Sequence, residues 1–268
     1  TAGRNSFSVK TDRVIHSSSQ RVTATLTLIC IFACLTLRAV EPERELIRDP
    51  HFQNGFWLLE PKPGQRVVYG EALAPATTAK PVWDLCQWSS KFPLAAARAP
   101  QSADDGFCFT NRAKRVCLGR PGSAEADLSL GVNASVEYGD RARQSSGEPW
   151  VHLLVQQEIE PRPSLAELES CRFHVEARLK HSKLHRTEDY TPSRHAAQFL
   201  IYLTVANRNP RSPGYGQYLW FGIPIYDDRR RLAPAYQAQD FAGTKMFIYT
   251  VAAEVFAKES TQDGNWVI

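Results

Sequence analysis

The chain has 268 residues, 43% of them apolar and 22% charged, with a net charge of +4. That composition argues against global disorder. Its basic residues are scattered (Arg112, Lys114 and Arg115; Arg141 and Arg143; Arg229 to Arg231), which argues against a nucleic-acid partner, since that needs a clustered basic surface.

The first 40 residues read as a signal peptide with an upstream leader. Arg4, Lys10, Arg13 and Arg21 precede Val22 to Leu37, an apolar run that ends at Arg38-Ala39-Val40-Glu41-Pro42. A basic stretch, a hydrophobic segment and a small residue near its end make a secretory signal. Sixteen residues are short for a membrane anchor, which needs about 20. Cleavage is expected near Ala39, giving a secreted, cell-surface or periplasmic protein with no stable membrane span after signal removal. Residues 41–268 are then expected to form a single β-sandwich domain. The chain begins at Thr1 and its one methionine is Met246, so the true start is expected to lie elsewhere.

Cysteine usage fits export. Cys30 and Cys34 fall in the signal, leaving Cys86, Cys108, Cys117 and Cys171, an even number that permits two disulfides with three connectivities. One pair has a local argument. A hairpin turning at Arg112-Ala113 places Cys108 opposite Cys117, within disulfide reach. Two buried free thiols are the alternative. No Cys-x-x-Cys motif is present, so structural zinc is not expected.

Leu46-Ile47-Arg48-Asp49-Pro50-His51-Phe52-Gln53-Asn54-Gly55-Phe56-Trp57 resembles the entry strand of secreted galactose-binding-like jelly rolls, carbohydrate-binding modules among them. The usual Asn before the Asp-Phe pair is replaced, with Asp49-Pro50-His51-Phe52 in its place. The resemblance implies an all-β, antiparallel β-sandwich of jelly-roll type.

Downstream, a strand is expected at Arg66 to Tyr69 and loops at Gly70 to Lys80 and Ala95 to Asp105. Trp83, Cys86 and Trp88 read as packing residues, with a sugar-stacking Trp as the alternative. Leu128, Leu130, Val132, Ala134, Val136 and Tyr138 alternate with polar residues, predicting one strand with a dry and a wet face. Asn133-Ala134-Ser135 is formally a glycosylation sequon. Trp150 to Ile159 and Cys171 to Lys180 repeat the strand pattern. Between them Ser164 can cap a short helix, with Glu167 three residues on. His181 to Tyr190 concentrates potential metal ligands. No zinc-protease motif is met, no metal site is expected, and Glu188 and Asp189 leave room only for a structural calcium ion.

Gln198 to Ala206 is apolar at nearly every position, as in a strand covered on both faces. A loop from Asn207 to Gly216 follows, then a strand from Tyr218 to Tyr226 that runs into Asp227-Asp228-Arg229. Arg230 to Asp240 reads as loop and Lys245 to Phe256 as strand. Gly264 to Ile268 begins another strand, so the domain is expected to be truncated at its C-terminus.

Standard catalytic motifs are missing: no Gly-x-Ser-x-Gly elbow, no phosphate-binding loop, no dinucleotide fingerprint. Sugar recognition needs a stacking aromatic beside carboxylates, amides or guanidinium groups. Tyr215, Tyr218, Trp220, Tyr226, Asp227, Asp228 and Arg229 supply these types and are the candidate ligand-binding residues for a polysaccharide or glycan. The expectation is a non-catalytic exported carbohydrate-binding protein. The alternatives are a polysaccharide lyase using Tyr202, His195 and Arg229, a glycoside hydrolase, and a cell-surface structural or protein-interaction domain.

Overall fold

The computed structural model describes residues 5–10 (backbone path), 44–74, 77–95, 100–104, 106–121, 126–184, 186–240 and 244–264. In chain order its strands are β1 (Asn5–Lys10), β2 (Phe56–Leu59), β3 (Val68–Ala72), β4 (Trp83–Cys86), β5 (Gln101–Ala103), β6 (Gly106–Thr110) and β7 (Lys114–Leu118). There follow β8 (Leu128–Val132), β9 (Leu154–Gln156), β10 (Glu176–His181), β11 (Gln198–Ala206), β12 (Tyr218–Asp227), β13 (Tyr236–Gln239) and β14 (Phe247–Thr250).

The described residues are mostly β, in three sheets. One is six-stranded in the order β10-β1-β8-β7-β6-β5, and two are four-stranded, β11-β12-β14-β13 and β3-β2-β4-β9. The six-stranded sheet is antiparallel throughout. The other two are mixed, because β12 pairs parallel with β14 and β2 parallel with β4. All three sheets feed one buried cluster, through Phe56, Leu58 and Leu85, through Val116, Leu128 and Ala177, and through Ile225 and Tyr226. No helix among the described residues is long and apolar enough to cross a membrane.

The entry segment turns sharply before β2. The Asp49 carboxylate accepts from the amides of Gln53 and Asn54 at 2.8 and 2.9 Å. Gly55 takes a φ of +73°, and a Cβ there would lie 2.1 Å from the Ala72 carbonyl oxygen, so only glycine lets β3 approach this closely. Trp83 packs on Phe52 at 4.8 Å between ring centroids and donates to the Asp49 carbonyl, and Cys86 is fully buried. Trp88 meets the His152 ring edge-on.

The cysteine hairpin forms as expected. Cys108 and Cys117 are directly paired across β6 and β7 and are joined by a disulfide. Asn111 holds the turn, its side-chain oxygen accepting from the amides of Ala113 and Lys114 at 2.8 Å. Cys86 and Cys171 are free thiols, so no second bridge is made among the described cysteines. Burial pushes the Cys86 thiol up to about 12, which makes it an inert packing group.

Several expected strands are shorter. The alternating run from Leu128 ends as a strand at Val132 and continues as a single helical turn, α1 (Ala134–Glu137). The Asn133 side chain accepts from the Val136 amide and caps that turn, a role for which asparagine is favoured. Asn133 is also only 6% exposed, so the sequon is not presented at the surface. The strand expected from Cys171 begins at Glu176, and that expected over Trp150 to Ile159 spans only Leu154–Gln156. The Lys245 to Phe256 run is strand only over Phe247–Thr250. Beyond it, local bonds such as Val255 N to Ala252 O wind a 3-10 turn. Loops assigned to Ala95–Asp105 and Arg230–Asp240 contain β5 and β13. Ser164 and Glu167 do form the expected capping box, over a 3-10 turn at Leu165–Glu167.

β1 lies within the stretch read as an upstream leader. The apolar run Val22 to Leu37 and the region around Ala39 lie outside the described residues, as do residues 265–268.

Candidate aromatic face

β11 is an edge strand joined to β12 by antiparallel pairing from Gln198↔Asp227 to Ala206↔Tyr218. Strand side chains alternate between faces, and directly opposed residues share one. Ile201 and Ile223 point to the inner face and pack on the core. Tyr202, Thr204 and Ala206 therefore share the outer face with Gly222, Trp220 and Tyr218. Parallel pairing of β14 with β12 then adds Ile248 and Thr250, and β13 adds Ala238 and Tyr236.

This outer face meets solvent. Tyr202 is 44% exposed and Tyr236 58%. The expectation that β11 is covered on both faces is thus corrected: Phe199 and Ile201 pack against the core only partly buried, Val205 on that same face is exposed, and Tyr202 turns its ring to the open face. The Trp220 ring lies 5.7 Å from Tyr218 and 6.0 Å from Tyr202, inclined 44° and 46° to them. The three rings make a shallow furrow, with no formally charged side chain among the outer-face strand positions.

Gly222 shapes the furrow. A Cβ there would lie 2.6 Å from Thr250 Oγ1 and 2.8 Å from Tyr202 Cε1, so its absence lets the Tyr202 ring lie across the strand. Thr250 is 3% exposed, beside Tyr202, and no hydrogen bond of ordinary geometry reaches its hydroxyl. Burial raises the Tyr202 hydroxyl above its ordinary value, with Thr250 acting in the opposite sense. That phenol therefore stays protonated and able to donate at neutral pH.

The candidate residues fall into two groups. Tyr218 and Trp220 lie in the furrow. Tyr215, 59% exposed, projects from the loop at the same end of the sheet, where Asn207 and Gln217 close the hairpin. Tyr226, Asp227, Asp228 and Arg229 are at the opposite end of β12, about 30 Å along the strand from Tyr218 to Asp227. There Asp227 and Arg229 bind one another. Asp227 is 5% exposed and accepts from Arg229 Nε at 2.8 Å, Arg229 Nη2 at 2.5 Å and Gln198 Nε2 at 2.7 Å. Arg229 also donates to the Pro192 carbonyl, and the Tyr226 hydroxyl meets Ser182 at 2.7 Å. This is an internal knot that anchors the β11–β12 end to neighbouring loops.

Tyr202, His195 and Arg229 do not converge. Tyr202 pairs with Gly222, five positions before Asp227 on β12. His195 accepts from the Thr191 amide at Nδ1 and meets the Arg143 carbonyl at Nε2, so both ring nitrogens are engaged in the loop. Among the described residues no cluster of three or more His, Cys, Asp or Glu side chains could hold a metal ion. Tyr236, Gly222 and Thr250 escape sequence reasoning as site residues. Gly222 joins through its pairing with Tyr202, whereas Thr250 and Tyr236 depend on the parallel pairing of β14 with β12, for which the sequence has no local signal.

Among the described residues, fold and face define a class: a mostly-β protein with a hairpin disulfide and an uncharged aromatic furrow on an open sheet. Compared with protein-family models, curated proteins and solved structures, the chain matches none.

Proposed function

We propose that this chain is an exported, non-catalytic β-sandwich of jelly-roll type that binds a neutral polysaccharide or glycan along the furrow of Tyr202, Trp220 and Tyr218. The supporting observation is the juxtaposition of these three rings on a solvent-facing sheet. Sugar rings have apolar faces that stack on aromatic side chains, and their hydroxyl rims accept and donate hydrogen bonds. Tyr236 and Tyr215 flank the furrow with further hydroxyls. A site without formal charge favours neutral hexose chains over uronic acids, whose carboxylates would find no cationic partner at the strand positions. The engagement of both His195 nitrogens and the separation of Tyr202 from Arg229 weigh against a lyase. A glycan array run beside a polysaccharide-degradation assay tests the proposal. Binding to neutral glycans without turnover supports it, and turnover or silence on the array contradicts it.

A further inference from the structure

β11 differs from every other strand that ends a sheet among the described residues. Each of the three sheets has two outer strands, and five of those six are short or charged. β5 and β9 have three residues and β13 has four. β3 carries Glu71 and a register break, and β10 carries Glu176, Arg178 and Lys180. Such features keep an edge from pairing with another chain. β11 has none of them: it runs nine residues, Gln198–Ala206, without a formal charge or a proline. None of the nine is fully buried, and no described strand pairs with its outer side.

An edge strand aims alternate amide and carbonyl groups away from its sheet, where an added strand can meet them. Among the described strands only β11 and β12 exceed six residues, and β12 is already flanked by β11 and β14. The described strand that matches the free edge in length and in lack of charge is therefore β11 of a second copy. Antiparallel pairing of β11 with itself about a two-fold axis at Tyr202 sets Ile201 across from Leu203, Phe199 across from Val205 and Leu200 across from Thr204. Outward-facing backbone groups recur every second residue, so odd positions meet odd ones and each face of one sheet continues into the same face of the other. Nine residues paired in this way exchange about 8–10 hydrogen bonds, as many as a typical protein interface holds.

We infer that the chain associates as a two-fold dimer through β11, joining two four-stranded sheets into one of eight strands. A two-fold contact between identical surfaces closes on itself, so association stops at two copies. The two Tyr202 side chains stand directly across the axis from each other. The two furrows thereby run into one aromatic face. This inference does not depend on the carbohydrate proposal, since it rests on the backbone edge of β11 and is read from mass rather than from glycan binding.

Sedimentation of the full chain over a dilution series tests it. The wild type should reach twice the monomer mass at the concentrated end. Tyr202→Lys and Tyr202→Glu each put like charges directly opposite across the axis, which is unfavourable, and each should weaken association at least tenfold. An equimolar mixture of the two variants, with opposite charges now facing, should recover the dimer. Should either variant fail to fold, hydrogen exchange on the wild type decides alone: diluting the dimer should speed exchange of amides within Gln198–Ala206 at least tenfold and leave Phe56–Leu59 unchanged. A wild type that stays monomeric, variants that associate as the wild type does, a mixture of folded variants that stays monomeric, or β11 exchange indifferent to dilution overturns the inference.

Discussion

The Lys114 ammonium donates to the Glu137 carboxylate in a pair whose two side chains are wholly shielded from solvent. Ser90 Oγ donates to Glu137 at 2.8 Å, the Lys91 amide at 2.7 Å, and Lys114 also reaches the Phe92 carbonyl at 3.1 Å. The pair therefore ties the start of β7, the Ser90–Phe92 loop and α1 into one unit. Burial pushes Lys114 below its ordinary value despite Glu137. Burial pushes Glu137 up, but the donors from Lys114, Ser90 and Lys91 outweigh it and leave the carboxyl low.

Removing one partner strands the other charge. Lys114→Met should destabilise by about 3–5 kcal/mol, and Lys114→Met with Glu137→Leu should recover much of that. Urea unfolding of the single and double variants checks this. Because the Glu137 value is lowered on folding, its contribution is present above the unfolded pKa and lost as pH falls through the folded one. The acid limb of the stability profile should flatten in the double variant.

Asp227 and Asp228 are adjacent but should respond oppositely. Burial raises both, yet the Arg229 and Gln198 donors bring Asp227 below its ordinary value, whereas Asp228 stays raised and its Oδ1 is buried without a hydrogen bond. Asp227→Asn should cost about 1.5–3 kcal/mol, the scale of charge-assisted bonds. Asp228→Asn should cost nothing or stabilise at pH 7. The raised Asp228 value means stability rises as pH falls from its folded pKa to its unfolded one, and the asparagine variant should lack that rise. Denaturation at pH 4 to 7 distinguishes the two.

The Cys108–Cys117 bridge closes a short loop with a sequence separation of 9. Loop-closure entropy puts its contribution at roughly 2–3 kcal/mol. Cys108→Ser with Cys117→Ser should lower the urea midpoint accordingly, with a slope equal to or slightly above that of the wild type because the uncrosslinked denatured chain is less compact.

Gly222→Ala tests the shape of the furrow. The added methyl meets Thr250 Oγ1 and Tyr202 Cε1 inside contact distance, so the Tyr202 ring must move off Trp220. Glycan affinity should fall at least tenfold, about 1.4 kcal/mol, although every ring is retained. Gly214→Ala, in the loop, should leave affinity unchanged, and isothermal titration reads both.

What was legible in the sequence follows from the range of the forces involved. The hairpin disulfide, the Ser164 capping box and the β11–β12 pair rest on neighbours within a few residues, and sequence patterns carry such signals. The alternation through Leu128 to Tyr138 misled, because Asn133 offers its side chain to a backbone amide and ends the strand that hydrophobic spacing alone would continue. Glu137, placed by that spacing on a wet face, is instead buried against Lys114. The candidate site was half visible: Tyr218 and Trp220 could be named from composition. Separating them from Asp227 and Arg229, and adding Tyr236 through β14, required pairing between strands far apart in the chain.

The most direct measurement is fluorescence titration of the intact protein with neutral glycans, comparing wild type with Trp220→Ala and Arg229→Ala. Saturable binding that drops at least tenfold in Trp220→Ala and persists in folded Arg229→Ala is the predicted result. Binding that survives loss of the tryptophan, or that disappears only with the arginine, would contradict the furrow as the site.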